Sequence, residues 1–262
     1  MSINLRRVNK MNKKFGYLIV LVVIALSSLA CSISVPDVNI NLDSVKGSGT
    51  SSEETRSLEG ITGVNLSSIG NLTIVYGSEE KIVINADDNL IPYITTEVKN
   101  GILDIGTQDG INIRPVEKIT YNLTVTKPLE LLKVSGLGDI NAPALESNEM
   151  SIQVSGSGNI SIQDLKVELI QANISGLGSI TIDEGSATKQ EITLSGSGTY
   201  KAEDIQSQSA NVTVSGLGNA SLWVTDQLTA TISGSGNVEY YGNPRIQQTV
   251  SGIGGLVSKG NK

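Results

Sequence analysis

The quartet Ser-Gly-Xaa-Gly, with Leu, Ser or Ile at its third place, occurs seven times, starting at Ser135, Ser155, Ser175, Ser195, Ser215, Ser233 and Ser251. Successive starts lie 20 residues apart four times and then 18 apart twice. A unit this short cannot bury a core alone, so neighbouring units must stack. Around every quartet apolar and polar residues alternate with period two, the mark of strands that bury one face. The strand entering a quartet carries pairs such as Ile152 and Val154 or Val212 and Val214; the strand leaving it carries Ile160 and Ile162 or Tyr200 and Ala202.

Two architectures satisfy this pattern. In an antiparallel meander each quartet is a hairpin tip, whereas in a parallel solenoid each quartet is a corner and every coil adds about 4.8 Å along the axis. Near-constant spacing of identical corners favours the solenoid. In either fold the quartet glycines are expected at corners that need positive φ. The third quartet place alternates large and small without exception: Leu137, Ser157, Leu177, Ser197, Leu217, Ser235, Ile253. In a stack, the small residue leaves room for the large ones on either side to meet. Ser67-Ser-Ile-Gly-Asn-Leu72 is a degenerate copy of Ser155-Gly-Ser-Gly-Asn-Ile160, so coils are expected to begin near Leu58 and run through one body, residues 58–258, with a short tail at 259–262. Pro92 limits the Asp87–Tyr93 stretch to one turn of helix.

The N-terminal region has a different design. Arg6, Arg7, Lys10, Lys13 and Lys14 precede an uncharged apolar run from Phe15 to Ala30, with small residues just before Cys31, the only cysteine. This resembles a bacterial lipoprotein signal, residues 1–30, with cleavage before a lipidated Cys31. Ser28 and Leu29 depart from the usual order of the cleavage motif. The apolar run of 16 residues is short of the roughly 20 needed to span a bilayer. Lipidation and the alternative, an uncleaved membrane anchor, both place the body outside the cytoplasmic membrane, and residues 31–57 read as the lipidated cysteine with a flexible tether.

Loss of residues 1–30 removes five basic and no acidic side chains from a formal charge of −7, leaving −12. Nucleic acid and anionic headgroups repel such a body, so the expected partners are the membrane, through the lipid, and an envelope glycan or protein ligand. The chain has no histidine, which removes Ser-His-Asp and Cys-His chemistry and nearly all zinc sites. The glycine-rich quartets are not phosphate loops, since none leads into a helix. No cofactor is implied.

Two constellations remain. Asp164, Glu184 and Asp204 stand nine residues after a quartet serine, with Asp183 and Glu203 beside two of them, and stacking would align them as a candidate cation or ligand strip. A solvated acidic corner explains the same residues. Trp223, Tyr240 and Tyr241 form a candidate aromatic patch. A polysaccharide-active enzyme would need two carboxylates facing one cleft, normally with such aromatic platforms.

The order Gly63-Val-Asn-Leu66, Leu72-Thr-Ile-Val-Tyr-Gly77, Ile82–Asn85, Asp87-Asp-Asn-Leu-Ile-Pro-Tyr93, Gly101-Ile-Leu-Asp-Ile105 and Ser135–Ile140 resembles the putative auto-transporter adhesin, head GIN domain family. With the repeats, the resemblance covers roughly Leu58 to Val257. It implies an all-β, right-handed parallel β-helix (β-solenoid) on a secreted or lipid-anchored bacterial protein, and it carries over no catalytic residue. The expected function is a non-catalytic, adhesin-like envelope binder, with a passive envelope scaffold as the alternative and a carboxylate-based enzyme behind it.

Overall fold

The computed structural model describes residues 43–262. The chain lays down β1 (Asp43–Lys46), β2 (Ser51–Ser57), β3 (Gly63–Leu66) and β4 (Asn71–Tyr76), then β5 (Lys81–Asp87). A single 3-10 turn at Ile91–Tyr93, with Pro92 inside it, leads to β6 (Ile94–Lys99), β7 (Ile102–Thr107), β8 (Ile111–Arg114) and β9 (Thr120–Val125). The array follows as β10 (Leu131–Val134), β11 (Asp139–Val154), β12 (Ile160–Ile174), β13 (Ile180–Leu194), β14 (Thr199–Val214), β15 (Asn219–Ile232), β16 (Val238–Tyr241), β17 (Arg245–Val250) and β18 (Leu256–Ser258). Among the described residues no helix is long and apolar enough to cross a membrane.

Every pairing from β10 to β18 is parallel, and residues 20 apart face each other as far as the start of β15 (Ile140 with Ile160, Ile160 with Ile180, Ile180 with Tyr200), the offset falling to 17 and then 18 beyond it. The fold is therefore a parallel β-solenoid. Each coil has three sides, where alternation shows two. Ile140 and Ala142 are buried on the first side, Leu145 on the second, and Met150, Ile152 and Val154 on the third. Pairing between β11 and β12 skips at Pro143 and Asn148, which are the corners between these sides. The second side buries one residue in most coils (Leu145, Leu165, Ala187) and two, Ile205 and Ser207, in another, too few to produce a period. Each buried Leu or Ile contributes roughly 1.5–3 kcal/mol, so the interior columns supply the driving force for stacking.

The third corner is the Ser-Gly-Xaa-Gly quartet. The backbone ladder continues around it: the N–H of Ser155 donates to Val134 O at 2.9 Å, that of Ser157 to Gly136 O at 3.1 Å, and that of Leu177 to Gly156 O at 3.0 Å. None of the quartet glycines has positive φ, contrary to the expectation from turn chemistry. What demands glycine is proximity. A Cβ on Gly176 would overlap the Gly156 carbonyl oxygen and stand 2.7 Å from that of Ser155. Asn159, Asn219 and Asn237 complete the corner, as expected of amides that can bond the backbone: the Oδ1 of each accepts the N–H of the equivalent residue one coil on, at 2.8–3.0 Å.

The alternation at the third quartet place is not a packing device. Leu137, Leu177 and Leu217 are 66%, 67% and 62% exposed and Ile253 is 90% exposed, so these side chains point outward from the corner and do not meet across the serines.

The coils below the array are stacked out of sequence order. The first coil (β3, β4) lies between β10 and β11 on one side and the second coil (β7, β9) on the other. Ser67–Leu72 does sit beneath Ser135–Ile140, as its resemblance to a quartet predicts, with Leu137 N–H donating to Ser68 O at 3.2 Å. The intervening residues form antiparallel attachments, β5 on β9 and β6 on β7. Part of the segment read as a tether is also built in: β1 pairs with β8, and β2 pairs antiparallel with β5 over its full length. Its sequence, Ser-Ser-Glu-Glu-Thr-Arg-Ser, has no apolar alternation because this strand covers an edge and buries no face. Residues 1–30, Cys31 and the first part of the tether lie outside the described residues.

Asp87, in the Asp-Asp-Asn-Leu-Ile-Pro-Tyr run, joins these attachments. Its buried carboxylate accepts the N–H groups of Gly49 at 2.6 Å, Val116 at 3.0 Å and Glu117 at 3.1 Å, tying three remote loops together. Burial by itself raises this carboxyl, but the three amides outweigh it and hold the group below the usual aspartate range. The stabilisation is present above the unfolded aspartate pKa of about 3.9 and is lost as pH falls below it toward the folded value. Urea unfolding between pH 6 and pH 2 is expected to show wild type losing stability more steeply below pH 4 than Asp87→Asn, so that the two curves converge. Parallel curves would contradict this.

Candidate functional site

Each side of the solenoid presents outward rows with one residue per coil, at the strand spacing of about 4.8 Å. On the third side these rows read Ser151, Gln171, Glu191, Asn211, Thr229, Gln247 and Gln153, Asn173, Thr193, Thr213, Thr231, Thr249, in direct register. The only charge in either row is Glu191, and Lys189 Nζ pairs with it at 2.6 Å. Hydroxyls and amides thus form a flat strip six coils long, flanked by the uncharged quartet corner. The remaining outward row of this side, Glu149, Leu169, Lys189, Ser209, Gln227 and Arg245, carries three charges, so charge is thinned only over the two rows nearest the quartets. Individual residues gave no hint of this, but writing the units in a 20-residue register would have shown it.

The acidic residues lie at the corner between the first and second sides. Asp164 and Glu184 are register partners in adjacent coils, and Asp183 and Glu184 are exposed. They do not converge: Asp164 faces Lys166 Nζ at 3.5 Å, Glu203 accepts the Ser221 hydroxyl at 2.6 Å, and Asp204 pairs with Lys262. Among the described residues no group of three or more acidic, cysteine or histidine side chains is placed to hold a metal ion.

The aromatic residues divide. Tyr240 is the register partner of Leu222 and packs against the core, whereas Trp223 and Tyr241 are partners in the adjoining row. The array's shortening to 18 residues brings Trp223 here. Between β14 and β15 the register shifts after Ala202, so Trp223 pairs with Gln206 on the second side, close to Asp204.

One polar chain runs inside the core. The Tyr200 hydroxyl donates to Gln190 Oε1 at 2.8 Å, Gln190 Nε2 donates to Ser207 Oγ at 3.1 Å, and the Ser207 hydroxyl donates to the Trp223 carbonyl at 2.8 Å. Tyr200, Gln190 and Ser207 are all buried. Burial pushes the Tyr200 hydroxyl well above its ordinary range, and that of Tyr121, which donates to Ile69 O at 3.2 Å, up to about 12. The signal for this relay was present in the sequence: Tyr200 stands in the Ile140–Ile160–Ile180 column and Gln190 in the Met150–Ile170 column.

Solved structures share this architecture. A putative adhesin from Bacteroides fragilis has a TM-score of 0.77 at 21% identity, covering 82% of this chain and 99% of its own. A putative adhesin from Parabacteroides distasonis has a TM-score of 0.66 at 26% identity, covering 82% and 100%. A putative lipid binding protein from the same species has a TM-score of 0.70 at 23% identity, covering 82% and 99%. No protein of curated function matches the chain. The family model described as putative auto-transporter adhesin, head GIN domain matches residues 61–244, from the first coil to the end of β16 and just beyond, and the chain belongs to that family.

Proposed function

We propose that the protein is an exported lipoprotein held at the cell envelope through Cys31, whose solenoid is a non-catalytic, adhesin-like binding module with the two hydroxyl- and amide-rich rows of its third side as the contact surface. The carrying observation is the scarcity of charge in two rows: apart from Glu191, which pairs with Lys189, hydroxyl and amide side chains run in register over six coils, on a body with formal charge −12 once residues 1–30 are removed. Such a strip offers repeated donors and acceptors to a neutral polar polymer, such as an envelope glycan, and weak contacts repeated along a rigid ladder add through effective concentration. The basic and apolar pattern before Cys31 supports the anchor.

A glycan array probed with wild type and with a Thr193→Lys, Thr213→Lys double variant tests the surface. Binding is expected to neutral glycans, with affinity reduced about ten-fold or more in the variant, at an unchanged melting temperature because both residues face outward. An array without hits, or equal binding by the variant, would contradict the assignment. In cell fractionation, Cys31→Ser is expected to release the protein from the membrane fraction; continued tight association would reject lipid anchoring.

A further inference from the structure

Trp223 and Tyr241 are neighbours on adjacent parallel strands, so their side chains stand about one strand spacing apart on the same row. The ammonium of Lys262 lies over both, 4.8 Å from the centre of the Tyr241 ring and 6.0 Å from that of Trp223, and it pairs with the carboxylate of Asp204. Its placement follows from the backbone before it: Lys259 N–H donates to Tyr240 O at 2.8 Å, and Gly242 N–H donates to Gly260 O at 2.9 Å, laying this segment along β16. The side chain of Lys262 is only 26% exposed although it sits on the surface.

We propose that Trp223, Tyr241 and Asp204 form a binding site for a primary alkylammonium group, which Lys262 fills as a displaceable internal ligand. Two aromatic faces attract a cation through their quadrupoles, and the carboxylate adds a charge-assisted hydrogen bond that requires an N–H donor. That bond selects a primary amine over a quaternary one. A lysyl side chain and an ethanolamine headgroup both carry this chemistry. The site lies on a different side of the coil from the hydroxyl and amide rows, and neither assignment depends on the other.

Trp223 is the only tryptophan in the chain, so its fluorescence reads the site directly. Lys262→Ala in the full chain is expected to shift Trp223 emission without moving the melting temperature. Nα-acetyl-lysine methylamide should then return the emission toward wild type at millimolar concentration. Wild type should need about ten-fold more probe, because the tethered ammonium competes at a millimolar or higher effective concentration. Adding Asp204→Asn to Lys262→Ala should weaken the probe several-fold, and tetramethylammonium should bind more weakly than the lysine probe. O-phosphoethanolamine, as a second arm, assigns the source: stronger binding than the lysine probe points to a headgroup, weaker binding to a protein side chain. If neither amine moves the emission of Lys262→Ala beyond potassium chloride at equal ionic strength, the proposal is overturned. The same holds if tetramethylammonium matches the lysine probe and Asp204→Asn changes neither.

Discussion

Gly178→Ala is expected to lower the unfolding free energy by about 3 kcal/mol or more, or to prevent folding. A Cβ there would overlap the carbonyl oxygen of Gly158 in the coil below and stand 2.8 Å from its carbonyl carbon and 3.0 Å from Val154 Cγ1. Neither neighbour can yield cheaply, since the backbone of that coil is held by its own ladder. The sign is informative, because Gly178 does not have positive φ and alanine is conformationally permitted there. At such a position, in the absence of a neighbour, the substitution would stabilise by about 0.4–1 kcal/mol through the unfolded state. Leu177→Ser, one residue away and on an exposed side chain, is the control and should stay within about 0.5 kcal/mol of wild type. Chemical denaturation of the two variants side by side decides the matter; equal stability would mean that the corners do not stack.

Tyr200→Ala is expected to cost about 3–5 kcal/mol, combining a cavity in the Ile180 column with a broken relay. Tyr200→Phe isolates the second effect. It keeps the ring but leaves Gln190 Oε1 without its donor in a site that excludes water, a cost of about 1–3 kcal/mol. Combining Tyr200→Phe with Gln190→Met, the residue type that Met150 supplies in the same column, should recover part of that loss by removing the orphaned acceptor together with the donor. Strict additivity of the two would contradict the coupling. The buried tyrosines also set an alkaline limit. Because burial raises the folded pKa of Tyr200 and Tyr121, their contribution is complete below the unfolded tyrosine pKa of about 10 and is lost as pH rises above it.

The array was legible because a residue and its equivalent 20 places on share one column, so Ile140, Ile160 and Ile180 announce the register directly. The second side was not, since one or two buried residues per coil leave no alternation to read. Antiparallel β2 escaped for a related reason: it is held by backbone pairing to β5, and an edge cover needs no apolar pattern. The role of the quartet glycines was misassigned from local turn chemistry because the constraint comes from a residue 20 positions away. Exposure of Leu137, Leu177 and Leu217 was hidden similarly, since alternation of size says nothing about direction. As for the surface, the aromatic and acidic candidates were named, but only the 18-residue coils place Trp223 beside Asp204, and the contact with Lys262 joins residues that no repeat relates.

Pulsed electron–electron resonance between spin labels at Gln153→Cys and Thr231→Cys, in a Cys31→Ser background, tests the parallel stack most directly. The register runs Gln153, Asn173, Thr193, Thr213, Thr231, four coil steps. Stacked coils predict a backbone separation of roughly 19 Å, whereas an up-and-down arrangement would place eight strand spacings, roughly 38 Å, between the same residues. A distribution centred near the longer distance would contradict the fold and the surface built on it.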